Sequence, residues 1–395
     1  MQDFYQRDKA QGLPVPHILG LSASPVMKSK DQSPEKLEVA LDSICRTPKR
    51  HRAELMEHVN MPEFHQIIYV ETLPNFEPEG WSLALHSLDK ICREYDMEMD
   101  PYIIHLRADE SERSQRTLEK VLEKQKTWCF SQLKTLYTTS RAIFRELGVW
   151  AADYYISQVV KKATRLVSLG SSYLENLTGA QQRHLCGILR PLGSVNYTHE
   201  TPMDASTVSD KVQRFIDALP RDRALAGIVF VQRRATVVAL AHVLSAHPQT
   251  KSQFRVGTMV GSSNNILKSS NICDLVDRKE QGQTLLKFRS GQLDLVIATT
   301  VLEEGIDVPA CNLVLCFDAP ANLKSFVQRR GRARKKESQL MLMQSSKSDK
   351  LSQWQELELD MKRIYADDMR ELQAVIDIEQ LEEDDGREFR VESTG

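Results

Sequence analysis

No apolar run in the 395 residues approaches the roughly 18 needed to cross a bilayer, so a membrane-spanning helix is not expected. The seven cysteines are scattered at 45, 92, 129, 186, 273, 311 and 316. None forms a CxxC pair or sits at metal spacing from a histidine, which argues against a zinc site and a disulfide framework. Reduced, mostly buried thiols are the expectation, and no metal ligand is proposed. Charge of one sign is also missing: 52 basic and 54 acidic residues leave a net charge of −2. Any nucleic-acid contact must then be a local basic surface, since the whole chain exerts no pull on phosphate. The start, MQDFYQRDKAQG, is polar and mixed in charge, unlike a secretory leader. The expected setting is intracellular, in the cytoplasm. No repeat of 20–50 residues is visible.

The apolar pattern changes twice along the chain. HILGL (17–21) reads as a short buried strand running into Ser-Ala-Ser-Pro. A charged helix is predicted over 34–60 and a second short strand from Ile67 to Val70. From about 80 to 190 strand signals vanish. Leu118, Val121, Leu122, Cys129, Leu133, Leu136 and Tyr137 recur at helical spacing, and few Gly or Pro residues interrupt 102–169. An all-helical bundle is the expectation there. After Tyr197 strands and helices alternate. GIVFV (227–231), RVGTMVG (255–261), LDLVIAT (293–299), NLVLCF (312–317) and Leu340 to Met343 are the apolar runs. Helices are predicted near 234–246, 280–290 and 322–330. Continuous apolar strands separated by helices predict an α/β fold with a parallel sheet covered on both faces. Residues 350–376 are amphipathic, and EQLEEDDGRE is an acidic tail.

Four segments carry chemistry: GLSASP (20–25), GIVFVQRR (227–234), ATTVLEEGIDVPACN (298–312) and QRRGRAR (328–334). In the last, arginines surround Gly331, and planar guanidinium donors match phosphate oxygens while staying charged. Thr299 and Thr300 close a strand and can offer hydroxyls to phosphate. Arg233 and Arg234 open a helix, and Val260 and Gly261 end another strand, where backbone amides meet ligands. Read in isolation, an Arg pair is a solvated face, S-A-S-P caps a helix, and TT-x-L-EE-G is a strand followed by a cap.

In this order the segments resemble motifs III to VI of superfamily 2 helicases, in which two RecA-like lobes bind nucleic acid and hold ATP between them. The helical insert resembles the Dicer and antiviral RNA-sensor branch, and CFDAPANLKSFVQRRGRARKKESQLMLM resembles fungal Dicer-like proteins. The resemblance implies a RecA-like C-terminal lobe with an inserted helical bundle and a pincer-like helix. By it, Arg332 and Arg334 are arginine fingers and Gln328 joins them in catalysis. Gly305, Asp307, Arg332 and Arg334 would face the nucleotide. Thr299, Thr300, Arg233, Arg234, Val260 and Gly261 would face RNA. Ser22 and Ser24 would couple the two sites, with Ser22 where relatives commonly carry Thr. Relatives also commonly carry their last arginine where this chain has Lys335.

Four regions are expected: 1–75, the remnant of a first lobe; 76–200, the insert; 201–346, the second lobe; and 347–395, the pincer and tail. The strand-like runs within 17–70 are expected to have lost their sheet partners, leaving an edge that is sticky or disordered. Two elements of the ATPase are not found. GSSNNILKSS (261–270) has Ile266 and Leu267 where a phosphate-wrapping GxxxxGK[ST] needs Gly and Lys. Asp109-Glu110-Ser111 lies in the insert, without the strand that an acidic DExH box requires. ATP and Mg²⁺ are therefore expected in a longer parent, with the missing lobe supplied in cis and double-stranded RNA as partner. Alone, the chain is expected to lack ATPase and nuclease activity. Two other readings stay open. One is a non-catalytic module binding duplex RNA or a Dicer. The other is a branched-DNA repair helicase, whose relatives usually read GRTGR where this chain reads GRAR.

Overall fold

The computed structural model describes residues 2–15, 57–71, 82–168, 178–204, 206–221, 225–261, 271–276 and 278–348, with isolated positions elsewhere. These fall into two compact units. The larger holds 61–319 and 332–346; the smaller holds 1–60, 320–331 and 347–395. The run 17–21, nearly all of the helix expected over 34–60, the expected pincer helix and the tail lie outside the described residues.

In the smaller unit, α1 (Gln2–Ala10) is a polar helix that opens the chain. The larger unit begins with strand β1 (Glu63–Tyr69), followed by the helices α2 (Leu83–Arg93), α3 (Pro101–Ala108), α4 (Glu112–Lys124), α5 (Trp128–Leu147), α6 (Val149–Ser168) and α7 (Gly179–Leu189). Side-chain caps set most of these starts: Ser82, Asp100, Ser111, Thr127 and Thr178 each accept a backbone N–H of the first turn. At Thr178 the cap is reciprocal, with Gln181 reaching back to the cap residue. Gly148 ends α5 at φ +105, and a Cβ there would lie 2.5 Å from the Thr207 carbonyl oxygen. Only glycine permits both that dihedral and that approach, and it lets α6 leave directly from α5.

The alternating half follows: α8 (Asp210–Ala218), β2 (Gly227–Phe230), α9 (Arg234–Ala246), β3 (Val256–Met259), α10 (Arg278–Arg289), β4 (Leu295–Ala298) and β5 (Leu313–Cys316). Next come α11 (Leu323–Arg330), which belongs to the smaller unit, and β6 (Gln339–Ser345). The six strands form one parallel sheet in the order β1-β6-β5-β2-β4-β3. Every residue of β2, β4 and β5 is buried, as a continuously apolar strand covered on both faces should be.

One expectation is overturned. The strand around Ile67 has not lost its sheet partners. β1 pairs with β6, Ile67 opposite Met343 and Phe64 opposite Leu340, and lies at the edge of the same sheet as the later strands. The helical bundle is therefore inserted within the α/β unit, after its edge strand. The reason is non-local: β6 needs a neighbour on its outer side, and β1 supplies the backbone donors and acceptors for it.

One hydrophobic core spans bundle and sheet. Leu133, Leu136, Ile143, Tyr155, Ile156 and Val159 from α5 and α6 join Val237, Leu240, Val243, Leu295, Ile297 and Leu315. At about 1.5–3 kcal/mol per fully buried aliphatic side chain, this shared layer holds the insert on the lobe.

Candidate functional site

The sheet's strands end together on one side, where Arg233, Arg234, Val260, Gly261 and Thr299 lie, whereas Asp307, Arg332 and Arg334 lie by the starts of β4 and β5. β2 and β5 are neighbours, but their following connections run to opposite sides of the sheet: β2 leads to β3, and β5 leads to β6. In open parallel sheets the crevice at such a reversal is where ligands bind.

The ends of β3 and β4 meet through Thr299, whose Oγ1 accepts the Gly261 N–H at 3.2 Å. Val260 donates its N–H to Gln281 Oε1 at 3.3 Å. Thr299 is buried, whereas Thr300 is exposed and begins a short 3-10 turn to Leu302. Arg234 reaches across from the first residue of α9. Its Nη1 donates to the Gly261 carbonyl, and its Nη2 pairs with Asp274 at 3.0 and 3.3 Å. Arg233 pairs with Glu146 in the last turn of α5, and Thr236 donates to the other oxygen of that carboxylate at 3.1 Å. Both arginines expected to face nucleic acid are thus held by carboxylates in this structure. Thr139, Tyr155, Asn271 and Asp274 join them around an open cavity of about 360 Å³. Tyr155 donates its hydroxyl to the Cys273 carbonyl at 2.7 Å, tying the 271–276 loop to the bundle.

A second cluster follows β4 along the chain. Gly305 turns the segment at φ +77 and leads to exposed Asp307. Arg289 at the end of α10 holds Asp307, pairing with its Oδ2 at 3.3 Å and with its carbonyl. Arg332 lies beside this turn. It is buried, and its Nε donates to the Leu302 carbonyl at 2.9 Å. Burial, and next the neighbouring Arg334, hold the Arg332 guanidinium below its ordinary pKa, while Cys311 and Asp307 act the other way. Arginine keeps its proton under such pressure, so the position carries a positive charge that an anion would stabilise. Cys311 fixes the backbone: its N–H donates to the Arg332 carbonyl at 3.3 Å, and its carbonyl accepts from Arg334 and Lys335 at 3.1 Å each. Arg334 is exposed.

In the smaller unit, Gln328 sits half-buried on α11, where the Asn322 side chain caps the helix by accepting the Ser325 N–H at 2.9 Å. Gly331 closes that helix by donating to the Val327 carbonyl at 2.9 Å. Ser22 and Ser24 lie outside the described residues.

Sequence reasoning missed an ionic layer at the β2/β5 crevice. Lys211 Nζ lies 2.7 Å from Asp318 Oδ1, and Asp318 Oδ2 accepts the Gln232 N–H at 2.8 Å. Lys211 also sits 4.0 Å from the centre of the Phe317 ring. Glu146 is nearby; burial and then Asp318 push its carboxyl above the usual range, against the pull of Lys211, Arg233 and Thr236. No local pattern could have shown this, because Lys211 and Asp318 are 107 positions apart.

Comparison with known proteins agrees with this geometry. Residues 210–336 match the helicase conserved C-terminal domain family. The chain is 40% identical to Dicer-like protein 2 of Cryphonectria parasitica over 100% of its own length, which is 27% of that protein. It is 41% identical to Dicer-like protein 2 of Pyricularia oryzae, over 98% of this chain and 26% of that one. This is a Dicer-type helicase C-terminal domain. The parallel sheet and its helices are its RecA-like lobe, with GIVFVQRR on β2 and the turn after it, ATTVLEEGIDVPACN following β4, and QRRGRAR following β5 along the chain. The Neurospora crassa Dicer-like protein 2 matches at 39% over 94% of this chain and 23% of its own length. The helicase segment described here thus spans about a quarter of the length of these relatives. Among solved structures, the Hef helicase domain of Pyrococcus furiosus aligns at TM-score 0.40 and 18% identity, covering 89% of this chain and 70% of that one. That is too loose a likeness to argue from. Among the described residues, no helix is long and apolar enough to cross a membrane, and no group of acidic, histidine or cysteine side chains is arranged to hold a metal ion.

Proposed function

We propose that this chain is the C-terminal helicase portion of a Dicer-like, ATP-dependent RNA helicase that engages double-stranded RNA in RNA silencing and antiviral defence. The observation that carries the proposal is the segment 299–307. At one end Thr299 is bonded to Gly261 beside Arg234. Further along, the Leu302 carbonyl accepts from Arg332 Nε at 2.9 Å, close to exposed Arg334 in the chain. One short turn therefore joins a set of groups suited to a phosphodiester backbone to a set suited to a nucleotide's phosphates. A shift at either end is passed to the other through a few residues, which is what coupling hydrolysis to RNA engagement requires.

One feature of Arg332 supports ATP as the ligand. Arg332 is a buried guanidinium held below its ordinary pKa by burial and by Arg334, and its Nε bond to Leu302 fixes the plane of the fork. ATP with Mg²⁺ would supply the transferable phosphoryl group. Arg332 and Arg334 would stabilise its charge, a role worth on the order of 10³–10⁵ in rate where arginine fingers act. Asp307 and Gly305 would place the nucleotide, and Gln328 would assist from α11. The phosphate-wrapping loop is not found in this sequence, so a first RecA-like lobe would supply it, with Ser22 and Ser24 in the coupling segment. Residues 76–200 would act as the insert that grips the duplex, and 347–395 as the pincer and tail. By itself the segment is then a binder without ATPase or nuclease activity. Contacts to phosphate and sugar carry no base information, which suits a reader of duplex shape.

The test is competition between duplex RNA and forked DNA for the chain, together with an ATPase assay. Preference for duplex RNA without hydrolysis is the expected result. Preference for the fork would turn the assignment to branched-DNA repair, and binding of neither would refute it.

A further inference from the structure

A cavity of about 590 Å³ opens in the helical insert, and none of its described lining residues belongs to a motif segment. Small-molecule sites run from roughly 300 to 1,000 Å³, so its size is that of a ligand pocket. Among the described residues, three helices begin on its wall. Pro101 and Tyr102 open α3, Trp128 opens α5, and Thr178 and Gln181 are the cap and third residue of α7. His105 stands one turn after Tyr102 on the same face of α3. The rings of Tyr102 and Trp128 are half-buried, so each is fixed by packing on one side and lines the cavity with the rest.

The polar groups of this wall are chiefly donors. Gln181 is 7% exposed, and the helix cap orients its amide: Oε1 accepts the Thr178 N–H at 3.0 Å and the Thr178 hydroxyl at 3.3 Å. Its Nε2 is then the end left to the cavity, and it has no hydrogen-bond partner among the described residues. Nor have the Trp128 indole N–H and the Tyr102 hydroxyl. A buried donor costs free energy until something accepts from it. Among the described residues the lining holds no carboxylate. Asp100, beneath it, commits its oxygens to the Tyr102 N–H at 2.9 Å and the Tyr95 hydroxyl at 2.5 Å. Arg183 adds a cation. It folds back over the first turn of α7, where a Cβ on Gly179 would lie 3.4 Å from its Nη1. No carboxylate among the described residues pairs with it. A cation there faces the positive end of the helix dipole, so the position favours an anion in contact with both.

We propose that this cavity binds a nucleotide, with the base against Trp128 and Tyr102 and the phosphate on Arg183 and the first turn of α7. Aromatic faces stack on any base, and base carbonyls and ring nitrogens accept from Gln181, Trp128 and Tyr102. A nucleotide carries a flat apolar face, acceptors at its edge and an anion in one molecule. An acyl chain lacks the acceptors, and inorganic phosphate lacks the face. Two sources share this chemistry: a free mononucleotide and an unpaired nucleotide of an RNA strand. Only the second rests on the reading of the chain as an RNA binder.

The experiment uses the full chain with Trp128→Leu, Trp128→Phe and Arg183→Gln, and thermal melts to show that each keeps the fold. A control, Lys120→Gln, makes the same charge change at an exposed position of α4 outside the lining. AMP and UMP are titrated by calorimetry and by quenching of tryptophan fluorescence, with adenosine and uridine as phosphate-free probes. A labelled single-stranded oligouridylate is titrated by anisotropy. If the ligand is a free nucleotide, AMP or UMP binds the parent chain, and Trp128→Leu weakens it about tenfold or more, the contribution of one stacked base. Trp128→Phe keeps the binding and loses most of the quench. Arg183→Gln weakens the monophosphates several-fold and leaves the nucleosides as they were, while the control changes neither. If the source is a strand, the oligouridylate alone binds, with the same dependence on Trp128 and Arg183. Binding indifferent to Trp128→Leu and Arg183→Gln, or no binding of either monophosphate or of the oligouridylate, would overturn the site. Should Trp128→Leu not fold, the quench in Trp128→Phe and the phosphate dependence in Arg183→Gln decide it. Failure of the parent chain to bind duplex RNA would count against the proposed function, and the monophosphate titrations would still decide the cavity.

Discussion

Replacing Lys211 with Met removes a charge from the crevice where β2 and β5 diverge, and the cost follows from the surroundings. Lys211 is 6% exposed, and the side chain of Asp318 is 12% exposed. At an effective dielectric of about 20, two unit charges at the spacing of this pair attract by roughly 6 kcal/mol. Desolvating both ions offsets most of that gain, so the intact pair adds little net stability. Breaking it is different. In Lys211→Met the Asp318 carboxylate keeps its Gln232 N–H but loses its cation, and the Phe317 ring loses its ammonium contact. Removing one partner of a buried pair costs about 3–5 kcal/mol. For a domain of this size that lowers Tm by roughly 6–20 °C. Asp318→Asn should cost a similar amount, because Lys211 is then the stranded ion. The double variant leaves no stranded charge and should lose clearly less than the sum, with a coupling of about 2 kcal/mol or more. Urea melts of the four proteins at one pH give the cycle. A loss below about 1 kcal/mol in Lys211→Met, or additivity in the double variant, would show that the pair behaves as a surface ion pair and that the crevice is wetter than described.

Three further outcomes follow from the same structure. Gly148→Ala should destabilise by about 2 kcal/mol or more in chemical denaturation, because it combines a left-handed dihedral with a Cβ 2.5 Å from the Thr207 carbonyl; a neutral result would mean that the α5–α6 junction relaxes freely. His242 is lowered from 6.5 to about 4, chiefly by burial and then by His199. Its native form binds fewer protons than its unfolded form, so stability should fall as pH drops from 6.5 to about 4, by on the order of 1–2 kcal/mol for a half-buried ring. His242→Phe should flatten that slope in melts across the window while keeping the stack on Tyr154. Glu146 has the opposite sign: its raised carboxyl pKa makes the charged form the unfavourable one in the fold. Stability should decline as pH rises from its unfolded value through the folded one, and Glu146→Gln should remove the decline and be at least as stable at about pH 7, as urea midpoints at several pH values would show.

Much of the fold was legible because it is written locally. GIVFV, LDLVIAT and NLVLCF are unbroken apolar runs, and they are β2, β4 and β5, buried at every position. The helix expected over 234–246 is α9, with the same limits. Spacing and burial act within a few residues, so the order of elements, the bundle and the parallel sheet could be read without coordinates.

What tertiary structure decided was the partnership of distant segments. The short apolar run from Ile67 to Val70 marks a strand but names no neighbour; β6, contributed from the other end of the chain, makes β1 the edge of the lobe's sheet. Arg233 and Arg234 read as a basic pair, yet the fold brings Glu146 and Asp274 to them from other elements. Thr299 and Arg332 are polar in sequence and buried in the fold, each holding a backbone group of another turn. Sequence patterns record what a residue tolerates beside its chain neighbours. Charge compensation, burial and enclosure are set by atoms contributed from elsewhere in the chain, and only packing specifies which ones they are.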